Sequence, residues 1–456
     1  MKLEKGDALI SGKVTKSLVS FTIPILFALF LQIMYGAIDM FIVGNFAQIN
    51  DVSGVSTGSQ FINTLTSLCI GLSMGTTILI GQKRGERKDS EIGSVISNSI
   101  MLFMAMSIVI MTLMLIFNHA IVDMMNTPDT AVIKTRGYIF YSSLGIPMIF
   151  AYNILGSIFR GLGDSKTPLM AVAIACAVNV IGDLILVAYC GMGAPGAAIA
   201  TILAQTISVV VSIYIIRKKS LFTYKMNRST FALNMEYIKR IIVLGVPIAL
   251  QSVLTSISFL FVMLIVNKFG VIFSAAVGVI EKLIGSMMLI PLSFMQSISV
   301  FVAQNYGARN FNRMKQGVKV GMIISVSTSL LMAYLSIFHG EIIISIFNQD
   351  PQVLAAAKSY LNAYVIDVVL VAFLFCLTGY LTGSGATMYV MIQGVVGAVI
   401  VRLTLTYVLS LIEPVSLFRI GLATPAATII QIAMCVVFLN ITNKRIKSYF
   451  RKKTTC

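Results

Sequence analysis

The sequence places one carboxylate, Asp39, inside an apolar segment that is long enough to cross a membrane. The segment runs from Pro24 to Asn45 and reads PILFALFLQIMYGAIDMFIVGN. An Asp near the middle of a membrane helix costs roughly 2.5–3.5 kcal/mol on insertion scales, so it is expected to face a protein interior or a wet cavity. Asp39 is therefore a candidate functional group, and its partners must come from other membrane segments.

A second carboxylate, Asp183, lies in the apolar segment CAVNVIGDLIL. Asn179 precedes it by four residues, which puts both side chains on one face of a helix. Counting about 1.5 Å per residue places Thr201 and Asp39 at a similar depth, in the outer half of the bilayer, so we expect one shared pocket. Four oxygen donors suit a hard cation such as sodium. Alternatively, two neighbouring carboxylates cannot both ionise cheaply in a low dielectric and would share a proton. The residues alone leave both chemistries open.

The composition is that of a polytopic membrane protein. Of the 456 residues, 57% are hydrophobic and 11% are charged, and the mean hydropathy is +0.92, which excludes a soluble protein of this size. The net charge of +17 could indicate nucleic acid, but the Lys and Arg residues cluster in short segments between apolar runs, so we expect no nucleic-acid partner. The six Cys residues form no CxxC pair, and neither a disulfide framework nor a zinc site is expected.

A requirement of about 20 apolar residues per span predicts twelve transmembrane helices. They cover residues 17–44, 53–80, 92–117, 138–159, 168–190, 195–216, 240–266, 272–302, 317–338, 355–379, 388–411 and 422–441. With both termini in the cytoplasm, 27 of the 34 Lys and Arg residues lie on the inner side and five on the outer side. This distribution follows the positive-inside rule and predicts that orientation.

The chain also repeats itself at a distance of about 222 residues, which is the signature of an internal duplication. That shift places Tyr138 on Tyr360, and a shift of 220 residues matches Gly163 to Gly383. Each repeat has six spans, an even number, so both should enter the membrane in the same direction, related by an axis along the membrane normal. We predict an N-terminal lobe at 1–216, a basic linker at 217–238, a C-terminal lobe at 239–441 and a basic tail at 442–456.

The repeat helps to decide whether the four polar residues serve function or only folding. Interhelical hydrogen bonds needed for folding alone would be expected to recur in both halves, at a modest free energy each. The counterparts of Asp39, Asn179 and Asp183 are instead apolar: Phe261, Val399 and Leu403. The functional interpretation is therefore favoured.

The second half supplies three further charged candidates within its spans: Glu281, Asp367 and Arg402. Asp367 with Arg402 or Lys282 could form a buried ion pair of purely structural use. The alternative is a polar wall that attracts cationic substrates, and we treat the three residues as candidates for lining a substrate cavity.

Four prolines, at positions 24, 147, 247 and 291, fall within or at the start of spans. Proline removes a backbone donor and can kink a helix, so these are candidate bending points. No phosphate-binding GxxxxGK[ST] sequence occurs, and no set of nucleophile, base and orienting group emerges. We therefore expect neither an ATP-driven pump nor an enzyme, and no cofactor.

Five motifs in combination resemble the multidrug and toxic compound extrusion (MATE) family. They are IGQKRGERK at 80–88, AQNYGARN at 303–310, the IDMFIVGN segment, RGLGDSKTP at 160–168 and GAAIAT at 196–201. The resemblance covers essentially all twelve spans. It implies two pseudo-symmetric six-helix bundles in a V that opens alternately to either side of a bacterial plasma membrane. It also implies export of amphipathic organic cations in exchange for protons or sodium, and we expect a monomer.

The resemblance also bears on individual residues. In the prokaryotic branch with an ion site in the N-terminal lobe, the coupling residues match Asp39, Asn179, Asp183 and Thr201. Another branch places a Glu on span 7 and an Asp on span 10. Span 7 of this chain has no carboxylate, so Asp367 supplies only half of that second pattern.

Other classes of membrane protein make different predictions. A lipid-linked oligosaccharide flippase of the same superfamily would share the architecture, but we expect it to carry more intramembrane basic residues than Lys282 and Arg402. A major-facilitator carrier also has six plus six spans, but GQKRGERK does not match its usual loop motif. A non-transporting scaffold predicts that the intramembrane carboxylates can be neutralised without effect on any flux.

Overall fold

The computed structural model describes residues 8–125, 127–218, 232–347 and 349–452, and within these ranges the regular structure is entirely helical. Ten helices are long and apolar enough to cross a membrane, and two bent helix pairs bring the number of spans to twelve. The predicted all-α membrane fold with twelve transmembrane helices is confirmed. The predicted linker at 217–238 and the end of the predicted tail lie largely outside the described residues.

The first repeat contains six spans, two of which have a break or a change of helix type. Its helices are α1 (Ala8–Ser11), α2 (Val14–Phe46), α3 (Ile49–Gly85), α4 (Asp89–Ile116), α5 (Asn118–Met124), α6 (Val132–Leu144), α7 (Ile146–Gly161), α8 (Lys166–Asp183), the π-helix π1 (Leu184–Tyr189) and α9 (Gly193–Lys218). The α6–α7 pair forms one bent span, and α8 continues into π1.

The second repeat again contains six spans. Its helices are α10 (Met235–Asn267), α11 (Val271–Met287), α12 (Leu289–Gly307), α13 (Phe311–Ser345), α14 (Pro351–Gly383), α15 (Thr387–Val395), the π-helix π2 (Val396–Arg402), α16 (Leu403–Ser410), α17 (Leu417–Gly421) and α18 (Ala423–Lys452). Here the bent pair is α11–α12, and α15, π2 and α16 form one span.

Contacts between residues divide the chain into two compact units. The first unit is Ile23–Ala249, and the second comprises the described residues of Met1–Thr22 and Leu250–Cys456. Both boundaries fall inside helices: α2 and α10 each begin in one unit and continue without a break into the other. Each unit has its own apolar core, built in the first unit mainly from α3, α4 and α7 and in the second from α11, α13 and α14.

Small residues allow helices of the first unit to pack closely, as is usual where lipid tails supply no hydrophobic driving force. A Cβ atom added to Gly71 of α3 would lie 2.4 Å from the Cα atom of Ala249, and one added to Gly75 would lie 2.3 Å from the carbonyl oxygen of Ile241. These positions hold glycine because the backbone of α10 occupies the space that a side chain would need.

The repeat is visible in the helix ends as well as in the sequence. Arg87, two residues beyond the end of α3, has φ +57°, and Arg309, two residues beyond the end of α12, has φ +56°. In each case the N–H groups of the arginine and of the next residue donate to carbonyls of the last helical turn, as in a Schellman motif, which satisfies acceptors that the helix end leaves free. The 222-residue shift between Arg87 and Arg309 is thus a structural equivalence.

The same helix-end motif corrects the second shift. Gly163 at φ +84° ends the span before α8, and its structural counterpart is Gly385 at φ +83°, with the same pattern of backbone hydrogen bonds. The match of Gly163 to Gly383 is therefore wrong, since the 222-residue distance holds at this turn too. The 220-residue shift aligned Gly163, which adopts the left-handed conformation, with Gly383, which does not.

Two of the four intramembrane prolines lie at breaks in the helices. Pro147 is in the first turn of α7, which is bent by 52° from α6, and Pro291 is in the first turn of α12, which is bent by 41° from α11. Pro24 and Pro247 instead lie inside the continuous helices α2 and α10. A proline near a helix start needs no N–H partner there, which favours a new helix beginning at that point.

Candidate functional site

The structure gathers the four predicted polar residues into one site in the first unit. Asp39 lies on α2, Asn179 and Asp183 on α8, and Thr201 on α9. Asp183 is 0% exposed and Asn179 is 1% exposed, whereas Asp39 and Thr201 are half-buried. The amide nitrogen of Asn179 donates to the hydroxyl of Thr201 at 3.4 Å. The sequence prediction that these residues converge is thus consistent with their positions, while their role stays a prediction.

Close packing between α8 and α9 explains how Asn179 reaches Thr201. A Cβ atom added to Gly182 would lie only 3.0 Å from the Cβ atom of Ala200. The two helices therefore meet at a pair of small residues, which directly adjoin Asp183 on one side and Thr201 on the other. A larger residue at either position would push the site apart.

Asp39 and Asp183 form the centre of the site. Their carboxyl groups lie within hydrogen-bonding reach of one another. Two carboxylates can only accept hydrogen bonds, so a bond between them requires a proton on one of them. Among the described residues no donor reaches Oδ1 of Asp39, either carboxylate oxygen of Asp183, or Oδ1 of Asn179, although all four atoms are buried. Four unpartnered oxygens in one place form an acceptor-rich site for a proton or a hard cation.

Two tyrosines that the sequence interpretation did not select also belong to this site. Tyr35 lies one helical turn before Asp39 on α2, and Tyr138 on α6 interacts electrostatically with both carboxyl groups. The ring of Tyr138 packs against Gly58 of α3, where an added Cβ atom would lie 2.4 Å from the ring. The spacing of Tyr35 from Asp39 and the repeat match of Tyr138 were the available signals.

A small cavity with space for about one water molecule adjoins the site at Asn179 and Thr201. Its walls combine two phenol rings with three polar side chains. The lining residues are Tyr35, Tyr152, Val172, Ala175, Asn179, Thr201, Ala204 and Gln205. At one end, the amide of Gln32 donates to the hydroxyl of Tyr152 at 3.2 Å. The cavity therefore joins the predicted polar set to an aromatic wall on α7.

Asp51, at the start of α3, is a buried acid that the sequence interpretation passed over. It is 2% exposed and pairs with Lys134 at 3.0 Å. The same carboxylate accepts the backbone N–H of Ala194 at 2.9 Å, which ties the start of α9 to α3. The two partners explain why the Asp51 carboxylate can be buried. Asp39 and Asp183 have unpartnered carboxylate oxygens, so their burial has no such explanation.

The three charged candidates of the second unit lie near one another but do not pair directly. Arg402 is 5% exposed and donates to the hydroxyl of Ser258 at 3.1 Å and to the carbonyl of Thr255 at 3.3 Å. Its guanidinium also lies 3.9 Å from the ring centroid of Phe259. Asp367 accepts a 2.5 Å hydrogen bond from the hydroxyl of Thr428.

The first alternative, an ion pair of Asp367 with Arg402 or Lys282, is therefore not formed among the residues that the structure describes, in which Lys282 is exposed. Arg402 interacts with Asp367 and with the half-buried Glu281 electrostatically, across a greater distance. The physical reason is that neutral hydroxyl and carbonyl partners lie closer to each charge, and one guanidinium faces two carboxyl groups. Glu281, Asp367 and Arg402 stay candidates for a substrate surface.

The sodium and proton alternatives meet different constraints in the described part of the chain. No group of three or more His, Cys, Asp or Glu side chains is placed to hold a metal ion there. A cation at the four-residue site would have to use the two carboxylates together with amide and hydroxyl oxygens. Such neutral oxygen donors suit a weakly held monovalent ion, and the direct contact of the carboxyl groups suits a proton.

Comparison with known families decides what kind of protein contains this site. The family profile MatE matches residues 24–185 and, a second time, residues 247–408. The chain belongs to the MatE family of membrane transporters. The two matches also confirm the internal duplication, since each covers most of one six-span repeat.

Several curated MatE relatives are similar over almost the whole chain. The probable multidrug resistance protein YoeA of Bacillus subtilis is 25% identical over 429 residues, which cover 92% of each chain. The multidrug export protein MepA of Staphylococcus aureus is 23% identical over 388 residues, covering 84% of this chain and 85% of its own.

Solved structures share the fold at lower sequence identity. A MOP superfamily transporter from Pyrococcus furiosus superposes with a TM-score of 0.90 at 19% identity, covering 98% of this chain and 99% of its own. An outward-facing multidrug resistance MATE transporter superposes with a TM-score of 0.89 at 20% identity, covering 99% and 100%. Both likenesses extend over all twelve spans, so this chain has the MatE fold.

Proposed function

We propose that this MatE transporter exports amphipathic organic cations in exchange for protons or sodium ions, and that Asp39 and Asp183 bind the exchanged ion. The observation that carries the proposal is the set of unpartnered buried oxygens on Asp39, Asp183 and Asn179. Leaving buried acceptors unpaired is costly, so such a set is explained by an ion that binds there for part of a cycle. The names of the similar proteins, which describe multidrug resistance and export, support the same function.

The direct contact between the two carboxyl groups favours the proton as the exchanged ion. In low dielectric, two carboxylates side by side repel each other strongly, and one proton both removes a charge and supplies a hydrogen bond between them. Loss of that proton separates the groups or admits a cation in its place. A substrate cation that approaches the ionised pair would be such a replacement.

The cavity supports the choice of substrate class. Tyr35 and Tyr152 present aromatic surface, which attracts organic cations through the negative face of the ring. Tyr35 lies one helical turn from Asp39 and interacts with it electrostatically, so a bound cation would favour the ionised pair and a bound proton would disfavour the cation. Each ligand thus biases the protein towards a different state, which is the requirement for exchange.

The test uses purified protein in proteoliposomes with the dye cation rhodamine 123, driven in turn by an imposed pH gradient and an imposed sodium gradient. We expect dye movement under the pH gradient, and we expect its loss in Asp39→Asn and in Asp183→Asn. Asp123→Asn is the control, because Asp123 is an exposed acid paired with Arg136. Gradient-driven transport that survives in both site variants would refute the proposed role of the pair.

The two alternatives have distinct outcomes in the same experiment. Transport under a sodium gradient alone would assign sodium as the exchanged ion. No dye movement under either gradient, with the protein folded by size-exclusion chromatography, would favour the flippase and lipid-linked substrates.

We also propose that the protein is a monomer in a bacterial plasma membrane with both termini in the cytoplasm and with the predicted lobe boundaries at 216 and 239. The distribution of Lys and Arg along the chain supports the orientation. Exposed Cys190, at the end of π1, should react with a membrane-impermeant maleimide in intact cells. A variant that keeps Cys190 as its single cysteine tests this, and labelling only after lysis would reverse the orientation.

A further inference from the structure

The end of the second unit at which α12 is followed by α13 is strongly basic. The residues with described side chains at this end are 8–17, 303–319, 382–389 and 440–448, and they contain nine Lys and Arg residues but no Asp or Glu. None of the nine forms an ion pair with a residue that the structure describes. We call these four segments the basic end of the second unit.

The equivalent end of the first unit carries acids as well as bases. Glu91 pairs there with Lys83 at 2.6 Å. The 222-residue shift places Arg313 at the position of Glu91 and Phe311 at the position of Asp89, so two acids of the first repeat are a base and an aromatic residue in the second. The positive-inside rule counts Lys and Arg and gives acids little weight. Membrane topology therefore does not explain why the basic end has no acids.

Two exposed lysines from different helices converge on one aromatic ring at the basic end. Nζ of Lys315, on α13, lies 4.7 Å from the ring centroid of Phe311, and Nζ of Lys447, on α18, lies 5.7 Å from the same centroid. The two ammonium groups are therefore no farther apart than the sum of these distances. Like charges repel, and a ring attracts a cation without neutralising it. An anion bound to both lysines would remove this repulsion.

A second aromatic pair extends the same surface. The ring of Tyr389, near the start of α15, stacks on the ring of Phe438 of α18 with 4.5 Å between the centroids. The guanidinium of the exposed Arg445 lies 5.7 Å from the centroid of Tyr389. Aromatic rings and basic side chains at the ends of membrane helices are typical of the level of the lipid headgroups. The basic end therefore has the composition of a surface at the membrane interface.

Further along each helix, the face that carries the lysine becomes apolar and stays exposed. Residues 315, 319 and 323 of α13 are spaced by four and share a face, on which Ile323 is 56% exposed. Residues 436, 440 and 447 of α18 are spaced by four and seven and share a face, on which Val436 is 46% exposed. Ile323 lies eight residues from Lys315, which is about 12 Å along the helix and within reach of an acyl chain. The surface thus joins an anion site to two apolar faces.

We propose that Lys315 and Lys447 bind the phosphate of a phospholipid with a net negative charge, and that its acyl chains lie along the exposed apolar faces of α13 and α18. A phosphate has several acceptor oxygens and can accept hydrogen bonds from both ammonium groups. Clusters of basic residues at the ends of membrane helices recognise anionic headgroups in this way. A soluble phosphate compound would match the charge but not the apolar faces, which is why we assign a lipid. The proposal is independent of the exchanged ion and of the exported substrate.

The test measures lipid binding to the purified full-length protein in detergent. Native mass spectrometry counts the bound lipids one by one, and titration with dioleoylphosphatidylglycerol gives the affinity for the first. Dioleoylphosphatidylcholine, which has the same acyl chains and no net charge, is the comparison lipid. The variants are Lys315→Gln, Lys447→Gln and the two combined. The control combines Lys166→Gln with Lys239→Gln, which removes the same charge from exposed residues of the first unit.

We expect the wild type to bind phosphatidylglycerol at least about tenfold more tightly than phosphatidylcholine. Each single variant should lower the affinity for phosphatidylglycerol about fivefold, and the double variant should lower it more than about tenfold, because each basic residue near an anionic headgroup contributes about this factor. The affinity for phosphatidylcholine should stay within about twofold in every variant. The control variant should bind both lipids as the wild type does.

A loss in the control as large as in the double variant of Lys315 and Lys447 would show that total charge determines binding, and it would overturn the proposal. Equal affinities of the wild type for the two lipids would overturn it too, as would unchanged binding of phosphatidylglycerol in the double variant. Should the double variant not fold, the two single variants decide by the same criteria.

The chain itself offers one other partner for the basic end. Residues 1–7, which precede it, contain Glu4 and Asp7. Binding of phosphatidylglycerol that appears only after Glu4→Gln and Asp7→Asn are combined would assign the two lysines to this segment and overturn the proposal. An affinity that is unchanged in that variant would support the lipid as the occupant.

Discussion

The carboxylate of Asp51 lies where a side chain on Gly193 would have to be. A Cβ atom on Gly193 would lie 2.2 Å from Oδ1 of Asp51, and Gly193 has φ +60°. Gly193 begins α9 and directly precedes Ala194, whose N–H bonds to that same oxygen. The glycine thus serves both the turn and the close approach of an acid from another helix.

Replacing Gly193 with alanine should destabilise the protein more than the same change at Gly191. Gly191 has φ +65° but nothing within 4 Å of an added Cβ, so Gly191→Ala adds only the strain of a left-handed residue, about 1 kcal/mol. Gly193→Ala adds the same strain together with the displacement of Asp51. The midpoint of thermal unfolding in detergent measures both, and equal midpoints would show that the Asp51 contact contributes nothing.

Lys83 and Lys88 share the acid Glu91, but their removal should have unequal effects. Lys83 lies 2.6 Å from Glu91 with 7% of its side chain exposed, while Lys88 lies 2.9 Å away with 51% exposed. Exposed ion pairs contribute little because water screens them. We expect Lys83→Met to cost about 1–2 kcal/mol and Lys88→Met to leave the unfolding midpoint nearly unchanged. The opposite order would mean that burial does not determine the strength of these pairs.

Glycine should be better than arginine at the end of α12. Arg309 is exposed and has φ +56°, a conformation that costs a non-glycine residue roughly 1–2 kcal/mol. Arg309→Gly should therefore raise the free energy of unfolding, and Arg309→Val should lower it because a β-branched residue fits this conformation worst. Equilibrium denaturation in a mild detergent gives both values. A lower stability for Arg309→Gly would show that the arginine side chain makes a compensating contact.

Neutralising Asp367 should restore part of the stability that the protein loses when Arg402 is neutralised. Arg402→Gln leaves Asp367, which is 2% exposed, without a nearby positive charge, and uncompensated buried charges are costly. We expect Arg402→Gln to destabilise the protein and the double variant with Asp367→Asn to regain part of the loss. Thermal unfolding of the wild type, both single variants and the double variant forms the cycle. Additive losses would show that the two groups do not interact.

Sequence reasoning was most successful where a residue conflicts with its surroundings. Asp39 and Asp183 stand out because a carboxylate in an apolar helix is costly, and helical spacing then adds Asn179. Asp51 was missed because its position near a span end does not show whether it is buried. In the structure, Lys134 and a backbone N–H supply the partners that make its burial acceptable.

Side-chain direction was the other limit. Arg160 lies near the end of α7, and its position gives the same topology signal whether its side chain extends into water or lies back along the helix. The side chain lies back along the helix over Gly156, where an added Cβ atom would be 3.4 Å from Nη1 of Arg160. The ion pair of Asp367 failed for a similar reason, since hydroxyl partners from other helices are invisible in sequence. Helix-helix contacts decide both outcomes, and sequence spacing within one helix does not encode them.

The two π-helices show that the repeats differ in helical phase as well as in residue type. A π-turn holds more residues than an α-turn, so it rotates everything that follows relative to what precedes. π1 begins immediately after Asp183, whereas π2 ends at Arg402, before Leu403 and Leu405, the positions that shifts of 220 and 222 residues assign to Asp183. The two repeats therefore differ in helical phase over this interval. The copies therefore diverged by a change in the length of helical turns, and one shared helical wheel cannot represent both.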